Sequence, residues 1–597
     1  MVKVSDYIVD RLPELTGSRH CFFLSGGGIM HLCESLGQSQ SFIPIPVHHE
    51  QAAAIAADAY GRFANTVGVV ITTTGPGATN AITGVSGAYL DSTPLLVISG
   101  QVSRATWKAN EPVRQLGFQE IDIVSIARSF TKYAVTILEP QEIRFHLEKA
   151  VWLARSGRPG PVWLDIPLDV QAAKIDPSHC RSFTPPDSLA SEEISNIAAA
   201  KQLAQLLRDK RRPLLLGGHG IWLSDGKREF LQLVKKLGIP TQTSWNGADL
   251  IPDAHPLYFG RHNSYGPRYP NMIVQNCDLL ISLGCRLGIQ QTGFNWAQFA
   301  HGAKKVMVDI DEAELKKHTL AIDLPVLGDV KAFMRTLLGM DITLPDLSPW
   351  LEWCRRVQQN YPLITKEYLE DEAVDPHVFV DELSQACPAS AVIVPGSSGT
   401  GFTVANKQFR IKEGQRFFSS KGHAAMGYGL PSSLGACFAS GGRLTITIVG
   451  DGGLMLNVQE LQTIRHHGLP IKIFVFNNQG YFSIRTTQKT YFSGHYVGSD
   501  PGSGVSLPRL QDLAKAFCLP YEILRTHHSL KSRIDKILST SGPTLIEVIL
   551  TPDKPLYPKL SSRRKDDGTM ESLPLDDMEP FLPRDEIEKL RNSARLI

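Results

Sequence analysis

Several things are missing from this 597-residue chain, and each absence narrows what it can be. No run of eighteen apolar residues occurs, which argues against a membrane-spanning helix. No excess of either charge occurs: 61 Lys and Arg stand against 59 Asp and Glu, so nothing favours a nucleic-acid or membrane-surface partner. The nine cysteines are an odd number, widely scattered and without a C-x-x-C pair. That excludes a disulfide frame or zinc ribbon and predicts reduced thiols in a cytoplasmic setting. The opening "MVKVSDYIVDRLPEL" lacks a continuous apolar stretch and reads as an amphipathic helix, not a signal peptide. Short-period repeats and low-complexity tracts are also absent.

What is present is alternation. Short Val/Ile/Leu-rich runs recur at 67–74, 94–100, 212–218, 278–284, 304–311, 444–452 and 471–478, separated by segments of helical period. This predicts α/β units, each a mostly parallel sheet flanked by helices. Two proline-bearing polar stretches, about 174–193 and 339–350, divide the chain. The expected units are 1–173, 190–340 and 365–551, followed by a charged tail, 552–597, ending in a short helix and laid over the last domain.

One unit carries recognisable chemistry. The run "LTITIVGDG" delivers Asp451, "NVQELQTIRHHG" reads as a helix, and "IKIFVFNN" delivers Asn477 and Asn478. In such a β-α-β unit both strands end on one edge, where open α/β sheets bind ligands. A carboxylate, an amide oxygen and a nearby carbonyl are hard donors suited to Mg²⁺ or Ca²⁺ holding a phosphorylated ligand. Glycines beside Asp451 let a diphosphate approach the backbone, and a helix N-terminus supplies N–H donors.

This GDG…NN pair resembles the thiamine diphosphate signature. The resemblance implies metal ligation by Asp451, Asn478 and the Gly480 carbonyl. It places the cofactor among Gly27, Glu50, Ala424, Met426, Gly450, Asp451, Gly452, Gly453, Asn478, Gly480 and Tyr481. "PVHHEQAAAIAADAYGR" (46–62) resembles the segment whose glutamate, here Glu50, touches the aminopyrimidine and promotes proton loss from the thiazolium. A plain first-turn acid is the alternative for that glutamate. "KGHAAMGYGLPSSLGACFAS" (421–440) resembles the segment that bends the cofactor over a bulky apolar residue, here Met426.

Most of the chain is similar to the acetolactate synthase group, through "TTTGPGATNAITGVSGAYLDSTPLLVISGQ" (72–101), "GFQEIDIVSIARSFTKYAV" (117–135) and "SGRPGPVWLDIPLDVQ" (156–171). It implies an active-site role for Gln119. In the middle unit "GGHG", "TSWNG", "FGRHN", "LGCRLG", "DID" and "GDV" follow the order of an FAD-binding domain. The implied flavin residues are Arg158, Gly217, Gly218, Ser244, Trp245, Arg261, His262, Gly284, Arg286, Asp309 and Asp329, with the two arginines 158 and 286 neutralising the pyrophosphate. A flavin-free domain with the same sheet is the second reading.

Two departures stand out. The loop "QGYFSIRTTQKTYFSGHYVGSDPGSG" carries no tryptophan, and "PGSSGTGFTVANKQ" replaces a QHQ tripeptide. Both resemble the synthase-like carboligases that attach an acetyl unit to a keto-sugar, and "SGHYVGSDPGSG" reads as a mobile glycine-rich cover. The expected reaction is decarboxylation of a 2-keto acid, pyruvate in the first instance, with acyl transfer to a keto acid or keto-sugar. His48, His49, Gln115, Gln119 and Arg485 are candidates for orienting the acceptor or moving protons; for either histidine alone, a bond to backbone is the favoured reading. A decarboxylase, an FAD-linked oxidase and a silent binding subunit remain as alternatives. The resemblance also implies a homodimer or homotetramer with active sites between subunits.

Overall fold

The computed structural model describes residues 1–108, 111–186, 190–370, 372–565 and 567–597. Three parallel sheets are the frame. The first runs Ile43–Pro46, His20–Phe23, Gly68–Thr72, Leu95–Gln101, Pro161–Pro167, Tyr133–Thr136. The third runs Arg416–Phe417, Val392–Ile393, Thr445–Gly450, Ile471–Asn477, Thr544–Ile549, Tyr521–Leu524. Numbered along the chain within each unit, both sheets read 2-1-3-4-6-5, so the outer units share one topology. The middle sheet, Thr241–Thr243, Pro213–Gly217, Leu279–Leu283, Lys304–Asp309, Leu324–Leu327, reads 2-1-3-4-5.

Most of the apolar runs become strands buried on both faces; Lys304–Asp309 is buried only at its centre. Gly68–Thr72, Leu95–Gln101, Pro161–Pro167 and Pro213–Gly217 are buried at every position. In each sheet the order reverses at its first strand, which leaves a crevice beyond the carboxyl ends of the first and third strands. Those crevices are where the chemistry lies.

The outer units are joined through their helices. Glu50–Ala64, rich in alanine, packs on Gly429–Ala439, and residues of both units share one apolar core. The approach is close enough that a Cβ on Gly435 would lie 1.9 Å from the Ala56 carbonyl oxygen.

Two expectations change. The helix after Asp451 starts at Asp451 itself, as Asp451–Leu454, and continues through a 3₁₀ turn to Glu460–His466. Only the first residues of the tail, with Pro552 and Asp553 on Arg485 and Leu556 in the core, stay on the last domain. The tail helix Arg584–Arg595 docks on the middle one, where Trp353 Nε1 donates to Ser593 Oγ (2.9 Å) and Asn271 Nδ2 donates to the Leu575 carbonyl (3.0 Å). Apolar residues spaced along it, among them Leu560 and Leu575, find there the core they cannot build alone. Among the described residues no helix is long and apolar enough to cross a membrane.

Gly435→Ala drives a methyl group into the Ala56 carbonyl and should cost about 1–3 kcal/mol. The expected reading is an earlier urea unfolding transition, and an unchanged midpoint would show that the two helices have slack.

Candidate functional site

Asp451 stands at the carboxyl end of Thr445–Gly450 and is buried. Its Oδ1 accepts from Gly452 N (2.7 Å) and its Oδ2 from Gly480 N (3.1 Å), tying together the ends of neighbouring strands. Burial pushes its carboxyl up to about 6, while the backbone N–H groups and Arg485 act the other way. Such a group gains from a cation beside it.

Asn478 supplies the second donor. Its Nδ2 bonds Thr400 Oγ1 at 3.3 Å, which turns the amide so that Oδ1 is left buried without a partner among the described residues. A buried acceptor left bare is rare unless a ligand fills it. Gly480 adopts φ +128°, and a Cβ there would lie 2.3 Å from the Ser499 carbonyl oxygen. Asp451, the Asn478 amide oxygen and a Gly480 carbonyl therefore form an oxygen donor set that fits Mg²⁺.

Arg485 was a candidate for acceptor binding, and the structure corrects this. Its guanidinium is buried, donating to the carbonyls of Asn478 (2.7 Å), Gln479 (3.0 Å) and Pro552 (2.9 Å) and pairing with Asp553 (3.0 Å). It braces the metal loop. Nor is 493–504 a loose cover: the Ser499 carbonyl accepts from Tyr481 N (2.8 Å), and Asp500 and Ser503 close a capping box around Pro501–Ser503.

The glycines divide by role. A Cβ on Gly450 or Gly453 would meet nothing within 4 Å, leaving the room a diphosphate needs. On Gly452 it would lie 2.3 Å from the Tyr481 ring, so this glycine serves the packing of Tyr481. The opposite wall of the crevice went unread in the sequence. Ser397, buried with its Oγ unpartnered, precedes the helix Gly399–Gln408, and Gly399, at φ +74° with open space beside it, opens it. The glycine-rich turn "PGSSGTG" between a strand and a helix was the available signal.

In the first unit Glu50 is the buried first residue of its helix, and its Oε2 accepts from Asn80 Nδ2 (3.0 Å). His49 caps that helix, its Nδ1 accepting from Gln51 N (3.1 Å). His48 donates its backbone N–H to Glu460 (3.0 Å) and leaves its ring exposed. Gln119 holds φ 64°, and its carbonyl oxygen would lie 2.2 Å from a Cβ on Gly75, so two loops press together beside Glu50's domain edge. Gln115 is exposed. Gly27 is exposed in a 3₁₀ turn at the end of the first strand, with open space beside it.

Ala424 has φ 54°, a left-handed conformation that costs a residue with a Cβ roughly 1–2 kcal/mol. Such strain persists where surroundings enforce it and clusters at ligand sites. Beyond it Met426 is exposed, and the Gly427 carbonyl accepts from Asn457 Nδ2 (2.9 Å).

A second site, a cleft of about 790 Å³, opens at the crevice of the middle sheet. Arg158, Ser244, Trp245, His262, Gly284, Arg286, Asp309 and Asp329 line it. Gly217, Gly218 and Arg261 do not. A Cβ on Gly217 would strike Phe230 (2.7 Å) and one on Gly218 the Gly284 carbonyl (2.1 Å), so both permit packing of strand ends. Arg261 is buried elsewhere, donating to the Phe409 carbonyl (2.7 Å). Arg158 reaches the cleft already paired with Asp311 and Glu314, at 2.9 Å each. Its charge is largely spent there, whereas Arg286 is exposed.

Five buried polar atoms of the cleft lack a partner among the described residues: His219 Nε2, Trp245 Nε1, Asn246 Oδ1, His262 Nε2 and Gln291 Nε2. Gln242 Nε2 donates to the Pro270 carbonyl (2.9 Å), so Gln242 Oε1 must accept from His262 Nδ1 (2.6 Å). Burial pushes His262 down to about 3, so its Nε2 presents a bare lone pair to the cleft. Mixed donors and acceptors on a 790 Å³ cleft fit a polar ring system as large as a flavin.

With this geometry in view, the comparisons with known proteins fall into place. Residues 2–126 match the thiamine pyrophosphate enzyme N-terminal TPP binding domain, 200–337 the central domain and 398–548 the C-terminal TPP binding domain. The acetolactate synthase large subunit of Cyanidium caldarium is 32% identical over 91% of this chain and 92% of its own. Acetolactate synthase 1, chloroplastic, of Zea mays is 33% identical over 94% and 87%. That of Pyropia yezoensis, an acetolactate synthase large subunit, is 31% identical over 91% of each. The chain belongs to the acetolactate synthase family of thiamine diphosphate enzymes. Its two outer units are thus the thiamine diphosphate-binding domains, and the shared strand order makes them topological twins.

Asn478→Ala removes the bare acceptor at the strand edge. Mg²⁺ affinity, measured by calorimetry with thiamine diphosphate present, should fall by at least the ~10–100-fold that loss of an outer-shell partner costs. An unchanged affinity would remove Asn478 from the metal site.

Proposed function

We propose that this enzyme is a carboligase that decarboxylates a 2-keto acid, pyruvate first, and joins the remaining acyl unit to a carbonyl acceptor, a keto acid or a keto-sugar. The observation that carries this reading is the pair of half-sites. The oxygen edge of Asp451, Asn478 and Gly480 suits a metal-bound diphosphate, and Glu50 is a buried carboxyl oriented by Asn80. When bound, thiamine diphosphate supplies the electron sink for breaking the bond to the carboxylate and for forming the new one.

The chain's own residues do the rest. Glu50 holds a proton at its carboxyl oxygen for the aminopyrimidine, and Asn80 fixes which way that carboxyl points. Ala424 offers its carbonyl in a left-handed turn, and Met426 stands as the apolar prop. Mg²⁺ would lie on Asp451, Asn478 and Gly480, braced from behind by Arg485. The bonded loop 493–504 and the helix Phe482–Tyr491 wall the acceptor side, and the exposed Ser483 and Thr487 offer hydroxyls there. That supports a polyhydroxylated acceptor alongside a keto acid, since the buried Arg485 is not free to bind a carboxylate. The relatives lend no support to a simple decarboxylase or an oxidase.

In this reading the five unpartnered atoms of the middle cleft would hold FAD, and Asp309 and Asp329 would take its ribose hydroxyls. A homodimer, or a tetramer of such dimers, completes the active site. Glu50 bonds within its own domain, while Phe118 beside Gln119 and Met426 and Ile484 on the metal domain are exposed apolar side chains awaiting cover. All nine cysteines are free, which fits a reducing compartment such as the cytoplasm.

The test is incubation with pyruvate, Mg²⁺ and thiamine diphosphate, with and without FAD, and mass identification of products. Pyruvate should be consumed with release of CO₂; acetolactate marks a keto-acid acceptor, whereas little acetolactate, with an acyl-sugar adduct forming once a keto-sugar is added, marks the other. Glu50→Gln should lower turnover by ~10²–10⁴-fold with cofactor affinity retained. Bound cofactor with no pyruvate consumption would overturn the reading.

A further inference from the structure

One stretch of chain touches both sites. Lys421 and Gly422 line the middle cleft, together with Leu90, Asp91 and Ser92. Two to four residues later come Ala424, left-handed at φ 54°, and the exposed Met426, the turn that faces thiamine diphosphate under the proposed function. The piece between them is short and contains a left-handed residue, so a displacement at one end has little slack in which to dissipate.

What holds the cleft end is Asp91. Its carboxylate, buried at the end of the helix Pro76–Leu90, accepts from Lys421 N (3.0 Å) and Gly422 N (2.9 Å). It is itself held by Arg62 Nη2 (2.8 Å), whose Nη1 donates to the Ser419 carbonyl (3.3 Å) and whose Nε pairs with Asp58. Asp58 in turn accepts from Tyr428 OH (3.0 Å), just past the turn. The segment is therefore gripped at 419–422 and at 428, with the thiamine turn suspended between. The Lys421 ammonium is drawn away, bonded to Asn406 and Ser419. The Gly422 backbone is pressed on the N-terminal unit, where a Cβ would lie 2.7 Å from Leu90 Cβ and 3.2 Å from Asp91 Oδ1.

We propose that Asp91 is a positioning residue that couples the two sites through Lys421–Met426, so that a dinucleotide in the cleft raises affinity for thiamine diphosphate and the reverse. The proposal rests on the cleft taking FAD. A ligand there covers Asp91 and the Lys421–Gly422 backbone, which settles the grip at one end of the segment, and the thiamine turn then has fewer arrangements to give up on binding. Linkage requires the two binding effects to be equal.

The experiment uses the full chain stripped of cofactors. Thiamine diphosphate with Mg²⁺ is titrated calorimetrically at zero and at saturating FAD, and FAD is titrated by its own fluorescence at zero and at saturating thiamine diphosphate. Both should show the same tightening, within the ~5–150-fold usual for coupled sites. Asp91→Asn removes the charge; Gly422→Ala leaves every charge in place and only lifts the segment off Asp91. Because both residues line the cleft, each variant is compared at its own saturating FAD, and the mutual tightening should fall close to onefold. Circular dichroism identifies a variant that fails to fold, and the gentler Gly422→Ala then decides. FAD that binds without altering thiamine diphosphate affinity overturns the coupling and leaves the flavin reading intact. Full tightening in Gly422→Ala overturns the role of the Asp91 grip. FAD that does not bind at all, read directly from its fluorescence, overturns both.

Discussion

The guanidinium of Arg62 is the charge around which the three units assemble. It is buried, and removing such a group from water costs several kcal/mol unless it is paired and its donors satisfied. Asp58 and Asp91 supply the pairing from the same unit, and the Ser419 carbonyl takes a further donor from the last one. The Arg62 carbonyl then accepts from Arg416, which reaches Asp249 of the middle unit at 2.7 Å. Moving a unit away would strip Arg62 of the Ser419 carbonyl and part Arg416 from the Arg62 carbonyl or from Asp249. The network sets relative placement of the units by penalising every other arrangement, a role apolar packing fills less selectively.

That placement gives the function its geometry. Parallel sheets leave crevices where strand order reverses, and the outer twin units have diverged in what they put there. One ends its strands in Asp451, Asn478 and Gly480, where Asp451 accepts from the Gly480 N–H and the Asn478 amide oxygen is left bare. Its twin carries no such set; Gly27 and Glu50 follow its first two strands, and the loops bearing Gly75 and Gln119 stand near. The middle unit leaves unpartnered polar atoms around a large cleft. Five bare polar atoms gathered on one cleft suit a polar ligand there, although unpartnered buried atoms also occur elsewhere among the described residues.

Alternation of apolar runs was enough to place all seven strands named from the sequence, since a strand buried on both faces must be apolar throughout. Asp451, Asn478 and Glu50 were also legible, because chemistry restricts which residues can stand at those places. Less legible were residues with two possible employments. Arg485 reads equally well as a substrate cation and as a brace, and only its five backbone and carboxylate partners decide between them. Gly452 reads like Gly450 and Gly453 until Tyr481 is found lying on it. Ser397 and Gly399 were passed over because their turn was weighed only for what it lacked.

By itself, then, the sequence determined the class of fold, the family, and the placing of Asp451 and Asn478 at neighbouring strand ends and of Glu50 at the start of the helix Glu50–Ala64. Each of these rests on local pattern: period, spacing, and side-chain type at a strand end. Tertiary structure alone decided that the tail clasps the middle unit, that Gly217 and Gly218 serve packing, that Arg158 arrives already paired, and that Asp91 holds a segment shared by two sites. These are contacts between residues far apart in the chain, and no local period encodes which buried charge will meet which backbone once the units close together.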